Sequence, residues 1–186
     1  RTSQDQWVFE SESQGMLSFD TFDFEAGNPG DNAEALYSPL GLSVFGSDNV
    51  ILSPSVYGAS SREYLSAKVY DDGINNEIRL YFDGGAESVG LYLLDGDGQF
   101  LITAEGPNGV LFENVPFESN GDNIPGGRYL GLIFTESVEL LRISTDGNDG
   151  FGVDDIEVVW STSTDSDEDG YTEADGDCDD ADPLIN

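Results

Sequence analysis

Asp165, Asp167 and Asp169 alternate along the chain and are followed directly by Gly170 and Tyr171. Side chains at positions 1, 3 and 5 of such a loop can converge on one hard cation. A glycine at position 6 permits the sharp turn that brings the backbone carbonyl of position 7 into reach. That carbonyl belongs to Tyr171, and position 9 is Glu173. An all-oxygen set with this spacing suits Ca²⁺ as the cofactor. Position 12 is Gly176, where a helix-loop-helix calcium loop would carry a bidentate glutamate, so closure falls to Asp175, Asp177 or a later carboxylate. The competing reading is a solvated acidic tail, but alternate carboxylates and a glycine in register favour a loop.

A second pair of carboxylates, Asp154 and Asp155, lies in Phe151-Gly152-Val153-Asp154-Asp155-Ile156. Successive strand residues face opposite sides. If Val153 and Ile156 take the two faces, one aspartate points inward and needs a cation or several donors. A bulge or an exposed strand end is the alternative. The preceding Asp146–Gly150 stretch reads as a glycine-rich turn whose oxygens could add ligands.

Catalysis has little to work with. The chain has no histidine, which excludes a Ser-His-Asp triad and a Cys-His pair and removes the usual zinc ligand. Only carboxylate-pair chemistry such as glycoside hydrolysis survives, and acids are too common here for any one pair to be informative. Gly84-Gly85 and Pro125-Gly126-Gly127 lack the lysine or helix of a phosphate cradle and read as turns. Tyr37, Tyr57, Tyr64 and Tyr129 fall in or beside loops where they could stack on sugar rings, although most aromatics in a β-sandwich are core.

The net charge is −32, with a single lysine, Lys68. Such a field repels phosphate backbones and anionic lipid, so nucleic acid and membrane surfaces are unsuited as partners. It also repels itself, and is relieved by cations in calcium-containing or saline surroundings. A halophilic origin alone would explain the charge and is compatible with specific calcium sites. No run of eighteen apolar residues would span a bilayer, and the start at Arg1 suggests a processed, secreted chain. Cys178 sits among carboxylates that disfavour a thiolate. It reads as the remnant of a longer motif or as a partner for a cysteine in another chain.

Short alternating, β-branched and aromatic runs recur throughout, separated by Gly, Asn, Asp and Pro, and none holds helical periodicity for three turns. The expected fold is all-β, a two-sheet antiparallel jelly-roll sandwich with a short irregular acidic calcium-binding tail. Strands are expected at 7–11, 18–24, 42–45, 49–52, 65–69, 77–82, 88–94, 100–104, 110–115, 129–134, 138–144 and 153–160. Asp95-Gly96-Asp97-Gly98 reads as a hairpin turn. In Ile78-Arg79-Leu80-Tyr81-Phe82, alternate apolar residues line the inter-sheet space and the others face outward or pack at the edges. The organisation is an N-terminal strand or arm (1–14), a sandwich (15–160), a linker (161–164) and the acidic repeat (165–186), which reads as truncated. Strand Trp7–Ser11 either joins its own sheet or completes that of a neighbouring molecule, a route to self-association.

Two resemblances add to this. The tail, through Asp175-Gly176-Asp177-Cys178-Asp179-Asp180, resembles the aspartate-rich repeats of thrombospondin type 3 and of bacterial secreted proteins. There the cysteine often pairs with a later one, and none follows here. Residues 18–160 resemble bacterial secreted jelly-roll domains whose last strand carries F-G-[IV]-D-D-[IV]. Such domains often hold a structural calcium where first and last strands meet. That resemblance implies Asp154 or Asp155 as a ligand, with Asp23 or Glu25 opposite. The expected function is that of a non-catalytic, secreted, calcium-binding structural or adhesive protein of the cell surface or extracellular matrix, with copies polymerising through Trp7–Ser11. A carbohydrate-binding module with a glycan partner is the runner-up, and a polysaccharide hydrolase the third reading.

Overall fold

The computed structural model describes residues 3–13, 19–24, 31–46, 51–55, 66–71, 77–94, 99–118, 127–145 and 151–161. Its nine strands are β1 (Asp20–Phe22), β2 (Leu42–Gly46), β3 (Ile51–Ser55), β4 (Ser66–Asp71), β5 (Glu77–Leu94), β6 (Gln99–Gly106), β7 (Gly109–Glu118), β8 (Arg128–Thr145) and β9 (Phe151–Trp160). Two helices, α1 (Gln4–Ser13) and α2 (Ala33–Tyr37), and a 3-10 turn at Ser38–Leu40 complete the described elements.

All strand pairs are antiparallel, in the order β3-β4-β9-β5-β8-β6-β7, with β1 added to β9 and β2 to β5. The strands thus form one hydrogen-bonded sheet that doubles over. Its two layers are joined through the 18-residue strands β5 and β8. The Glu77–Tyr81 part of β5 pairs with β2 and with Leu140–Ser144 of β8, whereas Ser88–Leu93 pairs with β9 and with Arg128–Ile133. The bend in β5 falls at Gly84 and Gly85, both left-handed at φ 78° and 81°. A Cβ on Gly85 would overlap the Ser137 hydroxyl, so glycine is required for conformation and for space alike.

The doubled sheet encloses one main core. Ile78, Leu80 and Phe82 from one half of β5 share it with Val89, Leu91 and Leu93 from the other, and Phe100 of β6 meets Phe151 of β9 edge-on at 5.4 Å. Burying each such side chain contributes about 1.5–3 kcal/mol. The expected inward set Ile78, Leu80 and Phe82 is buried, while Arg79 and Tyr81 face out.

Four expectations need correction. Residues 77–82 and 88–94 are halves of one bent strand, as are 129–134 and 138–144, so Gly84-Gly85 is a bend within β5 and not a turn between strands. Strands β5 and β6, expected to pair as a hairpin through Asp95-Gly96-Asp97-Gly98, are not neighbours, because β8 lies between them; residues 95–98 themselves lie outside the described residues. The premise that Val153 and Ile156 take opposite faces fails, since both are in the core. Two steps on β5, from Gly90 to Tyr92, oppose three on β9, from Glu157 to Asp154, and this bulge resets the alternation with Asp155 at φ 45°.

The fourth correction is the N-terminal segment. Trp7–Ser11 lies in α1 and not in a strand. Ser3 and Gln6 have capping-box spacing, and the Ser3 hydroxyl accepts the Gln6 backbone N–H at 3.3 Å. Trp7 is completely buried on the outer face of the second layer, against Tyr129 and Val159. The segment expected to add to a sheet edge is therefore occupied within its own fold.

Candidate functional site

An open constellation of polar and aromatic side chains sits on the bend of β5. A groove of about 380 Å³ is lined by Ser38 of the 3-10 turn, Ser43 of β2, Tyr81, Phe82, Asp83 and Gly84 of β5, and Glu139 of β8. Gly41, left-handed at φ 87°, closes the 3-10 turn, and its carbonyl accepts the Asp83 N–H at 2.9 Å, which fixes one wall to the other. Tyr81 is 39% exposed and Phe45 36% exposed, and the two rings meet edge-on at 5.3 Å. Phe45 thereby restrains an aromatic face that would otherwise swing freely. Hydroxyls of Ser38 and Ser43 can donate or accept, and carboxylates of Asp83 and Glu139 accept. Such a lining suits a neutral sugar-like unit with many hydroxyls and one apolar face. A cleft of about 400 Å³ between β7 and β8, lined by Phe112, Val115, Pro116, Phe117 and Leu130 among others, is almost wholly apolar.

The strand seam expected to hold calcium does form. β1 pairs with β9, placing Phe22 opposite Ile156 and Asp23 one step further, towards Asp155. Asp154 is fully buried in the bulge and Asp155 half-buried, with the Asp155 N–H bonded to Asp154 Oδ1 at 3.0 Å, while Asp23 is exposed. Among the described residues no group of three or more such donors is gathered to hold a metal. The seam alone therefore does not complete a calcium set. Glu25, Asp165, Asp167, Asp169, Tyr171, Glu173, Asp175 and Asp177 lie outside the described residues, as do Cys178, Tyr57 and Tyr64.

The other two tyrosines singled out from the sequence are internal. Tyr37 packs edge-on against Phe24 at 4.9 Å and is 5% exposed. Tyr129 donates its hydroxyl to Glu157 Oε2 at 2.7 Å beneath α1, where Gln4 Nε2 donates to the other oxygen, also at 2.7 Å. Tyr92 in turn donates to Gln4 Oε1 at 3.2 Å. Burial first, then the bond to Glu157, pushes the Tyr129 phenol well above its usual range. These bonds satisfy a carboxylate that is only 4% exposed and latch α1 onto the sheet. Tyr81 does not stand out in the sequence, because its neighbours make it look like an ordinary outward strand residue. The signal available was the Gly84-Gly85 bend just beyond it.

No protein-family model matches the chain, and no curated protein matches it in sequence. Solved structures do share its outline. The K1 cleaved adhesin domain of Lys-gingipain from Porphyromonas gingivalis W83 is 10% identical, over 78% of this chain and 99% of that one, with a TM-score of 0.46. A family 35 carbohydrate-binding module from Clostridium thermocellum is 14% identical, over 78% and 100%, with a TM-score of 0.44. A module of the same family from Paenibacillus barcinonensis is 17% identical, over 76% and 99%, with a TM-score of 0.42.

Proposed function

We propose that this protein is a non-catalytic, extracellular carbohydrate-binding domain with an adhesive role, and that its ligand sits in the groove beside Tyr81. The observation that carries this reading is the exposed Tyr81 ring, braced by Phe45 and bordered by serine hydroxyls and the Asp83 and Glu139 carboxylates. A pyranose has an apolar C–H face for the ring and hydroxyls for the rim, so one sugar uses both kinds of surface at once. The lack of histidine and the open, water-exposed placement of Asp83 and Glu139 support binding over turnover.

Ca²⁺ belongs to this reading as a structural ion. Its principal site is the loop Asp165, Asp167, Asp169, Tyr171 and Glu173, with closure from Asp175 or Asp177, as the sequence spacing supports. A second ion at the β1–β9 seam would use Asp154 or Asp155 with Asp23 or Glu25. Binding there would neutralise part of a net charge of −32. Screening of the chain on a glycan array in calcium-containing buffer, alongside Tyr81→Ala, tests the proposal. Binding of a defined glycan that the variant loses by about tenfold or more supports it. Equal binding by the variant refutes the groove as the site.

A further inference from the structure

We propose that the glycan held beside Tyr81 is acidic, and that Arg79 and Arg142 read a carboxylate on the sugar next to the one seated on the ring. This rests on the groove being a carbohydrate site. The chain has five arginines against 38 acidic residues, yet two of them stand directly opposite each other, Arg79 on β5 and Arg142 on β8. Like charges in cross-strand register are unfavourable, so the placement has a cost that the sheet must offset. Glu77 does so from between them, with Oε1 2.5 Å from Arg79 Nη2 and Oε2 3.8 Å from Arg142 Nε, and Glu105 takes Arg142 Nη2.

The offset is incomplete. Each guanidinium has five N–H donors in a planar fork. Among the described residues, Arg142 Nε is buried without a hydrogen bond, and neither arginine uses Nη1. Their side chains are 42% and 35% exposed, so the Nη1 donors, unlike the buried Arg142 Nε, can meet a ligand. A carboxylate is the group a guanidinium fork matches with two parallel bonds.

Arg79 lies two residues before Tyr81 on the same strand face, about 7 Å away along the strand. It pairs in register with Phe45 on its other side. A chain of sugars seated at Tyr81 and running along β5 towards Glu77 therefore lays its next unit over the arginine pair. The overall charge of −32 repels a polyanion at long range, so an acidic preference needs short-range contact of the kind this pair offers.

The test is calorimetric titration of the intact chain with matched oligosaccharide pairs, neutral and C6-carboxylate. The pairs are glucose with glucuronate, galactose with galacturonate, and mannose with mannuronate. The expected result is that the acidic member of at least one pair binds about tenfold tighter, and that Arg79→Gln narrows the preference to about twofold. If the neutral member binds as well as its acidic counterpart in every pair that binds, this inference is overturned and the groove reading is left standing. Binding of no member of any pair overturns both.

Discussion

Replacing Gly90 with alanine tests how α1 is held. Gly90 lies on the outer face of β5 beneath the helix. An added Cβ would overlap the Tyr129 hydroxyl, sit 2.8 Å from the ring carbon bearing it, and lie 3.2 Å from Trp7. Tyr129 cannot yield without leaving Glu157, and Trp7 cannot yield without lifting α1. Overpacking costs about 1–3 kcal/mol, and losing a hydrogen bond to a buried charged group about 1.5–3 kcal/mol. Because the two overlap, we expect Gly90→Ala to destabilise by about 2–5 kcal/mol. For a chain of 186 residues this lowers Tm by about 4–20 °C in a thermal scan. Tyr129→Phe removes the atom the Cβ strikes first, so the cost should shrink in that background, with a coupling of at least about 1 kcal/mol in the double-mutant cycle. A Tm within about 1 °C of wild type would refute the docking of α1 described here.

Two further outcomes are expected, one from the structure and one from the sequence. The Tyr129 phenol is held above its unfolded value of 10.0, so the native state keeps a proton that the unfolded chain releases. This contribution is complete below about pH 10 and is lost as pH rises further. Chemical denaturation between about pH 9 and 11 should show stability falling, and Tyr129→Phe should flatten the fall. Calcium titration by calorimetry should show a site that disappears when Asp165, Asp167 and Asp169 are together replaced by asparagine. An intact chain that gives no calcium heat and no rise in Tm would contradict the metal-binding proposal.

Much of the sandwich was legible in the residues. Alternation in Ile78–Phe82 identified the buried face because a strand half-exposed to water must alternate. The 100–104 and 110–115 segments lie within β6 and β7, which pair as neighbours. What failed was whatever tertiary contacts decide. Trp7-Val8-Phe9 has strand-like composition, yet the Ser3–Gln6 cap and burial of Trp7 against Tyr129 favour a helix. The doubled sheet requires β5 and β8 to run unbroken through bends that local turn chemistry resembles. At Asp154-Asp155 the choice between inward carboxylate and bulge depends on β5's register, which no local pattern in β9 contains. For the site, residue types pointed to carboxylates and loop tyrosines. Tyr81 acquires its surroundings only when Ser38, Ser43 and Glu139 arrive from three other elements.

Backbone amide chemical shifts, recorded while the best-binding glycan is titrated into the intact chain, test the central claim most directly. The account predicts saturable shifts concentrated at Ser43, Tyr81, Gly84 and Glu139. Shifts confined instead to Phe112, Val115 and Phe117 around the apolar cleft would contradict it.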